Sequence, residues 1–489
     1  KPSMGKENQD GLTGIAEAPL VDIAPGFYES GIEVSFVTEG EIRYTLDGSK
    51  PGRDSRVWDG TPIKISSNTA IRAYASREGA LDSFDVTYSY FINAPEYELD
   101  VVRVSLKGSD FSTLNENYSK DLKYPANISL FSGGELQFSE DCSISLFGGS
   151  SKRYSKKSYK LKFSSEYGPT KLKYKVFDSL DIDEFDCLVL RSGSQDNEGA
   201  LMRDEFTSGV SLSTGLIDSV LVQAYKPVNV YVNDEYWGVY YLREHVDEDM
   251  VSAHFGCDPE EVTVIKQMKY VEAGTGHRDF LDLWEYIKKN SLKSDEAYEY
   301  AGSVMDLKSV ADYYIIQLWC GNIDMDNVKI AKARGKWFFI LYDLDLTFCR
   351  PVEGTTEREI GTFNSSYYTF NALIYRLLEN RDFRELFCER MALIVSEVYR
   401  DENVLSYADA LAGLIGHDIQ YNCERWYGVK NPIKDPHYVN YKEWKKAVAR
   451  LKENVTGRGK LIVLDFIKEK KIEQELVDKY FSDILDFSS

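Results

Sequence analysis

The sequence predicts an α+β chain: a small all-β module, then a β-rich region, then a helical one. Three observations predict it. Residues 17–93 consist of short alternating apolar–polar runs separated by turn residues. Runs rich in β-branched and aromatic residues recur through 97–244, and from 245 to 489 apolar residues fall mainly at helical spacing. Residues 1–16, polar and carrying glycine and serine, read as a flexible lead-in.

The bulk composition narrows the class. A chain of 489 residues exceeds one ordinary domain, and 43% hydrophobic with 28% charged residues describes a globular protein with ample core. A net charge of −21 argues against a nucleic-acid binder, whose affinity rests on neutralising phosphates. No run approaches the roughly 20 apolar residues that span a bilayer, so no membrane span is expected. The seven cysteines form no CxxC pair and the five histidines no HExxH, so neither a zinc site nor a disulfide framework is indicated. Buried thiols are expected instead.

In the first module, Glu33–Val37 and Ile71–Ala75 read as strands, and Ile42–Leu46 as a strand running into an Asp47-Gly48 turn. The run Tyr44-Thr45-Leu46-Asp47-Gly48-Ser49-Lys50-Pro51, followed by Ile63-Lys64-Ile65 and Arg72-Ala73-Tyr74-Ala75, resembles the small β-sandwich modules of chitobiases and hexosaminidases. That resemblance implies an accessory module without catalytic residues: a spacer, with carbohydrate contact as the second option. Asn93-Ala94-Pro95-Glu96 reads as a linker.

Val101–Leu106 opens the β-rich region. Ile144–Phe147 runs into Gly148-Gly149-Ser150-Ser151-Lys152-Arg153, and then comes Lys156–Phe163. Alternation places Ser158, Lys160 and Lys162 on one face and Tyr159, Leu161 and Phe163 on the other. That pattern fits a solvated lysine face. It also fits a phosphate-binding strand, in which a flexible turn offers N–H donors and a lysine meets a polyphosphate. Leu188–Gly193 reads as a buried strand. Leu201–Phe206 starts a helix whose first-turn acids suit the helix dipole. Val228–Glu244 reads as a hairpin turning at Asn233-Asp234, its aromatics either plain sheet packing or one wall of a pocket for a flat base.

In the helical region, Phe280, Leu283, Trp284 and Ile287 share a face, and Val310–Trp319 is an apolar helix leading to Gly321-Asn322-Ile323-Asp324-Met325-Asp326-Asn327. Beyond Pro351, Leu373, Leu377 and Leu378 share a face, as do Phe383, Phe387, Ile394 and Val398; both sets read as core. Between these parts, Trp337–Tyr342 is an apolar strand ending on Asp343 and Asp345. Burying carboxylates there is costly unless a cation or donor compensates them, and two at i and i+2 suit an oxygen-bound Mg²⁺ or Mn²⁺. An isolated pair of this kind reads more readily as an ordinary strand end, with one Asp solvated and one hydrogen-bonded. The neighbouring Asp324 cluster is what raises the metal reading.

A glycine turn, a lysine strand and then two Asp clusters about twenty residues apart form the outline of an atypical protein-kinase-like, two-lobed fold, β-rich N-lobe before helical C-lobe. No HRD, DFG or GxGxxG is present. From Val101 to Phe466 the chain resembles the CotH kinases, atypical kinases related to a spore-coat protein. The carrying motifs are Gly149-Ser150-Ser151-x-Arg153 with Lys157-Ser158-Tyr159, Leu190-Arg191-Ser192-Gly193, and Leu201-x-Arg203-Asp204. They continue with Val232-Asn233-x-x-Tyr236-Trp237-Gly238-Val239-Tyr240, Arg243-Glu244, Asn322-x-Asp324 and Trp337-(x)5-Asp343-x-Asp345-x-x-Phe348. Arg425-Trp426, Trp444 and Arg458 complete the pattern.

The resemblance implies transfer of the γ-phosphoryl of ATP, with Mg²⁺ or Mn²⁺, to a Ser or Thr hydroxyl. It makes Asp324 the catalytic aspartate and Asp345 and Asp343 the metal ligands, with Asn327 beside them. Lys160, Lys162 and Lys157 are the candidates for the phosphate lysine. Ser150, Ser151, Arg153, Arg203 and Glu244 are expected on the nucleotide. Two departures stand out: Val328 follows Asn327 where a second asparagine is common, and Cys349 follows Phe348 where glycine is expected. The expected partner is a protein with a basic Ser/Thr-rich segment, the expected location a cell surface or spore coat, and the expected state a monomer. A nucleotide-sugar transferase using the Asp-x-Asp, or a pseudokinase scaffold, are the competing readings.

Overall fold

A computed structural model describes residues 14–267, 270–274, 276–324, 327–349, 369–430 and 438–485. Most of the lead-in, and Met325-Asp326 of the Asp324 cluster, lie outside the described residues.

The N-terminal module is a five-stranded sheet, in the order Gly26–Tyr28, Val86–Ile92, Thr69–Ser76, Glu41–Thr45, Arg56–Val57, facing a two-stranded sheet of Ile32–Val34 and Ile63–Ile65. Val34, Phe36, Ile42, Ile65, Ile71 and Tyr90 are buried between them. Gly48 turns with φ +73°, and a Cβ there would lie 2.7 Å from Ser105, so glycine both makes the turn and admits the next domain.

Packing at this junction departs from the spacer expectation. Phe91 stacks on Phe27 at 4.4 Å and meets Phe131 and Tyr231 edge-on at 5.3 and 4.9 Å. Arg103, buried, lies over Phe91 and donates to the carbonyls of Thr69 and Tyr90 at 2.9 and 3.3 Å. Arg72, also buried, pairs with Asp85 of its own module and with Asp141 beyond it. The expected linker residue Ala94 packs against the same aromatic cluster. The module is docked, not tethered.

Seven strands then close a barrel: Glu135–Phe147, Ser158–Lys162, Cys187–Arg191, Glu235–Glu244, Tyr225–Val232, Asp100–Ser105 and Lys123–Ser132. Neighbours are antiparallel except Tyr225–Val232 with Asp100–Ser105. Alternation works as expected. Tyr159, Leu161 and Phe163 fill the interior with Ile128, Leu146, Leu190, Val230 and Leu242, while Lys160 and Lys162 lie on the opposite face of their strand. The expected hairpin turns at Asn233, which takes φ +55°.

Lys156 is buried beside this barrel, its Nζ donating to the Val239 carbonyl at 2.6 Å and lying over the Tyr240 ring. Burial pushes its ammonium down to about 7, against 10.5 ordinarily. Below about pH 7 the native state carries this desolvated charge in full. Between about 7 and 10.5 the unfolded chain binds the proton more tightly, so stability rises with pH. Lys156→Met is expected to raise the melting temperature at pH 7 and to flatten that rise, both read by thermal melts from pH 6 to 10.

The region after 245 is less purely helical than its sequence predicts. A second five-stranded sheet, ordered Leu221–Val222, Lys336–Leu341, Lys329–Ala333, Thr263–Lys266, Tyr270–Ala273, is built mostly from it. Its strands are two to six residues long and lie between strongly periodic helices, which dominate the pattern. Helix Leu307–Cys320 is capped by Asp306, whose side chain accepts from the Lys308 and Ser309 N–H groups, and it ends on Gly321 at φ +56°. Helices Arg381–Leu393 and Arg458–Lys470 pack on it and Asp401–Gly416 packs on Tyr441–Val455, with Leu373, Leu377, Phe383, Phe387, Ile394 and Val398 buried as predicted. All seven cysteines are free thiols, five of them buried. Among the described residues no helix is long and apolar enough to cross a membrane.

Candidate active site

A cavity of about 610 Å³ opens between the barrel and the second sheet. From the barrel come the glycine turn 148–152, Ser158, Lys160 and Arg191. From the other side come His245, Asp247, Lys266, Glu272, Asp324, Asn327, Lys329, Tyr342, Asp343 and Asp345. The turn is tight: Gly148 has φ +104°, and a Cβ there would lie 2.3 Å from the Ser151 hydroxyl.

Asp343 itself takes φ +59°, a conformation aspartate tolerates better than most residues. Its carboxylate accepts from Arg191 at 2.6 Å and from the Asn327 amide. The same guanidinium nitrogen reaches Asp345 and Asp204, each at 3.1 Å. Behind it Arg243 pairs with Asp204 at 3.0 Å and with Glu205. Two arginines therefore face four buried or half-buried carboxyls, a formal deficit of two positive charges.

The carboxyls register that deficit. Burial, then the neighbouring Asp343 charge, pushes the Asp345 carboxyl well up against the pull of Arg191. Burial and the Asp204 charge push Glu205 up to about 7. Asp204 is held below its ordinary value: burial opposes its charge, but Arg243 and Arg191 outweigh it. An all-oxygen donor set of Asp343, Asp345 and Asn327, short of two positive charges and facing a cavity, fits a hard divalent cation.

Of the expected residues, the fold brings Ser150, Ser151, Lys160, Asp324, Asn327, Asp343 and Asp345 to this one cavity. It places five elsewhere. Lys157 turns back to donate to the Lys152 and Tyr154 carbonyls at 2.8 and 2.6 Å, clamping the glycine turn from behind. Lys162 pairs with Asp186, outside the cavity lining. Arg153 is exposed on the turn. Arg203 pairs with Asp196 at 2.6 Å and donates to the Thr347 carbonyl at 3.2 Å, bracing the segment after Asp345. Glu244 accepts from the Ala224 N–H at 2.8 Å and meets His254 at 2.9 Å, so its carboxylate is spent on the scaffold.

The sequence reading missed His245, Asp247, Lys266, Glu272 and Lys329, and gave Arg191 no role. Lys329 carried a usable signal, since a lysine inside Val328-Lys329-Ile330-Ala331 must find a partner when buried. That partner is Glu272, at 2.7 Å. The departure at Cys349 also has a local explanation. Phe348 itself takes φ +55°, anchored between Phe206 and Trp319, with its N–H donating to the Cys320 carbonyl at 2.8 Å.

Fold and site together define an α+β protein with an acidic cavity that lysines also line. Comparison with known families resolves the class further. The sequence model described as CotH kinase protein matches residues 144–462, and the one described as chitobiase/beta-hexosaminidase C-terminal domain matches residues 23–88. The chain belongs to the CotH kinase family, and that membership supports a kinase-like function in general. No curated protein matches it.

Proposed function

We propose that this chain is a phosphotransferase that moves the γ-phosphoryl of Mg-ATP to a Ser or Thr hydroxyl on a protein. The observation that carries the reading is the two-charge deficit around Asp343 and Asp345 at the floor of a cavity whose wall offers Lys160 and a Gly-Ser turn. Family membership supports it.

Mg²⁺, held by Asp345 and Asp343, would supply positive charge against the β- and γ-phosphate oxygens. Asn327 fixes Asp343 through its amide, and Arg191 keeps both carboxylates oriented. Lys160 would meet the phosphates as a point charge, with the Ser150 and Ser151 hydroxyls as donors. Asp324 would orient the acceptor hydroxyl and take its proton. The acidic chain favours a basic Ser/Thr-rich segment as the acceptor, on a surface or coat protein. Affinity for such a segment is then expected to fall as salt is raised.

The test is transfer of radiolabelled γ-phosphate to a Lys/Arg/Ser-rich peptide, with Mg²⁺ and with chelator. Label on serine that requires the metal is the expected result. Absence of label on any peptide, combined with absence of ATP binding, would overturn the reading.

A further inference from the structure

We propose that His245, held by Asp247, is the positioning residue for the Lys160 ammonium. The inference rests on the reading of Lys160 as the phosphate cation. It explains why that lysine is available when its neighbour two residues on is not.

The two lysines share one face of the strand Ser158–Lys162 and differ in partner. Lys162 is spent on the Asp186 carboxylate. Lys160 lies 3.3 Å from the Nε2 atom of His245, and both residues line the cavity. An ammonium has no lone pair, so in this contact Nε2 must accept. The imidazole is then neutral and carries its proton on Nδ1. Nδ1 lies 2.6 Å from the Asp247 Oδ2 atom, which accepts that proton's hydrogen bond. Asp247 is itself fixed, because its Oδ1 accepts from the Met250 N–H at the start of helix Glu248–Phe255. The Phe147 ring meets the imidazole edge-on at 5.8 Å.

The chemistry of the partner matters. A carboxylate in contact with Lys160 would orient it but compete with a phosphate for it. A neutral imidazole accepts one N–H and leaves the full positive charge for an anion, while Asp247 locks the accepting tautomer from one residue further away. Among the described residues no second group takes an ammonium hydrogen of Lys160, which leaves those hydrogens to meet oxygen.

Calorimetric titration of ATP and of adenosine, both with Mg²⁺, tests this on Lys160→Met, His245→Phe, His245→Gln and the Lys160→Met/His245→Phe double variant. Phe keeps the ring without the acceptor, and Gln returns an acceptor oxygen; melting curves establish that each variant is folded. His245→Phe is expected to weaken ATP binding about tenfold, the scale of one charge-assisted hydrogen bond, without changing adenosine binding. His245→Gln should recover most of the loss, and the double variant should bind ATP no more weakly than Lys160→Met alone. Unchanged ATP affinity in His245→Phe, or additive losses in the double variant, would overturn the positioning role. If Lys160→Met binds ATP normally while Asp345→Asn does not, the inference falls and the nucleotide site stands. If the unaltered protein binds no ATP, both fall together.

Discussion

Asp324→Asn is expected to slow phosphoryl transfer by roughly 10²–10⁴-fold, the contribution of a positioned general base, while leaving ATP affinity within about twofold. The loop that carries Asp324 is shaped by contacts that an amide preserves. Its backbone N–H donates to the Asn322 side chain at 3.0 Å, its carbonyl accepts from the Asn327 N–H at 3.3 Å, and the Ile323 N–H reaches the Leu346 carbonyl. An isosteric substitution keeps these backbone contacts and removes the proton acceptor. Initial rates with labelled ATP, set beside a binding isotherm on the same preparation, separate the two effects. A rate close to that of the unaltered protein would show that the acceptor hydroxyl loses its proton elsewhere.

Asp345→Asn is expected to do two opposite things: abolish metal-dependent ATP binding and make the metal-free protein melt several degrees higher. Its carboxyl is buried in a network already short of two positive charges, and burial holds its pKa well above 3.8. Holding a charge there costs stability; the amide keeps the shape and drops the charge. The sign fixes the pH dependence. A carboxyl raised in the native state is protonated there before the unfolded chain takes up a proton near 3.8, so the penalty shrinks as pH falls. The gap in melting temperature between variant and unaltered protein should therefore narrow from pH 8 towards pH 4. With Mg²⁺ added, only the unaltered protein should gain. A variant that melts lower than the unaltered protein at every pH would mean that Arg191 needs Asp345 more than it is burdened by it.

The fold was readable wherever burial followed a simple period. The strand Ser158–Lys162 sorts its residues to two faces as alternation requires, and helix Leu307–Cys320 runs between the cap and the glycine that the chemistry demands. Asp343 and Asp345 stood out as candidates for a related reason: charge at the end of the apolar strand Trp337–Tyr342 needs an explanation. What stayed hidden was partnership across the chain. Asp204 and Glu205 sit in the first turn of a helix, where acids usually serve the dipole in solvent, yet both are buried against arginines from two barrel strands. Lys160 and Lys162 are equivalent by alternation, and Lys157 falls on the other parity just before the strand. The period says nothing of what each meets: an imidazole for Lys160, a carboxylate for Lys162 and two carbonyls for Lys157. Of the second sheet only the strand at Trp337–Tyr342 was read: the others are short, and Thr263–Lys266 pairs with Lys329–Ala333 more than sixty residues away, which no local period reports.

The most direct measurement is calorimetric titration of ATP into the protein with and without Mg²⁺, with Asp345→Ala as the control. Saturable binding that requires the metal and disappears in the variant is the predicted result. Binding that ignores both the metal and the substitution, or no binding with Mg²⁺ present, would contradict a metal–nucleotide site at Asp343 and Asp345.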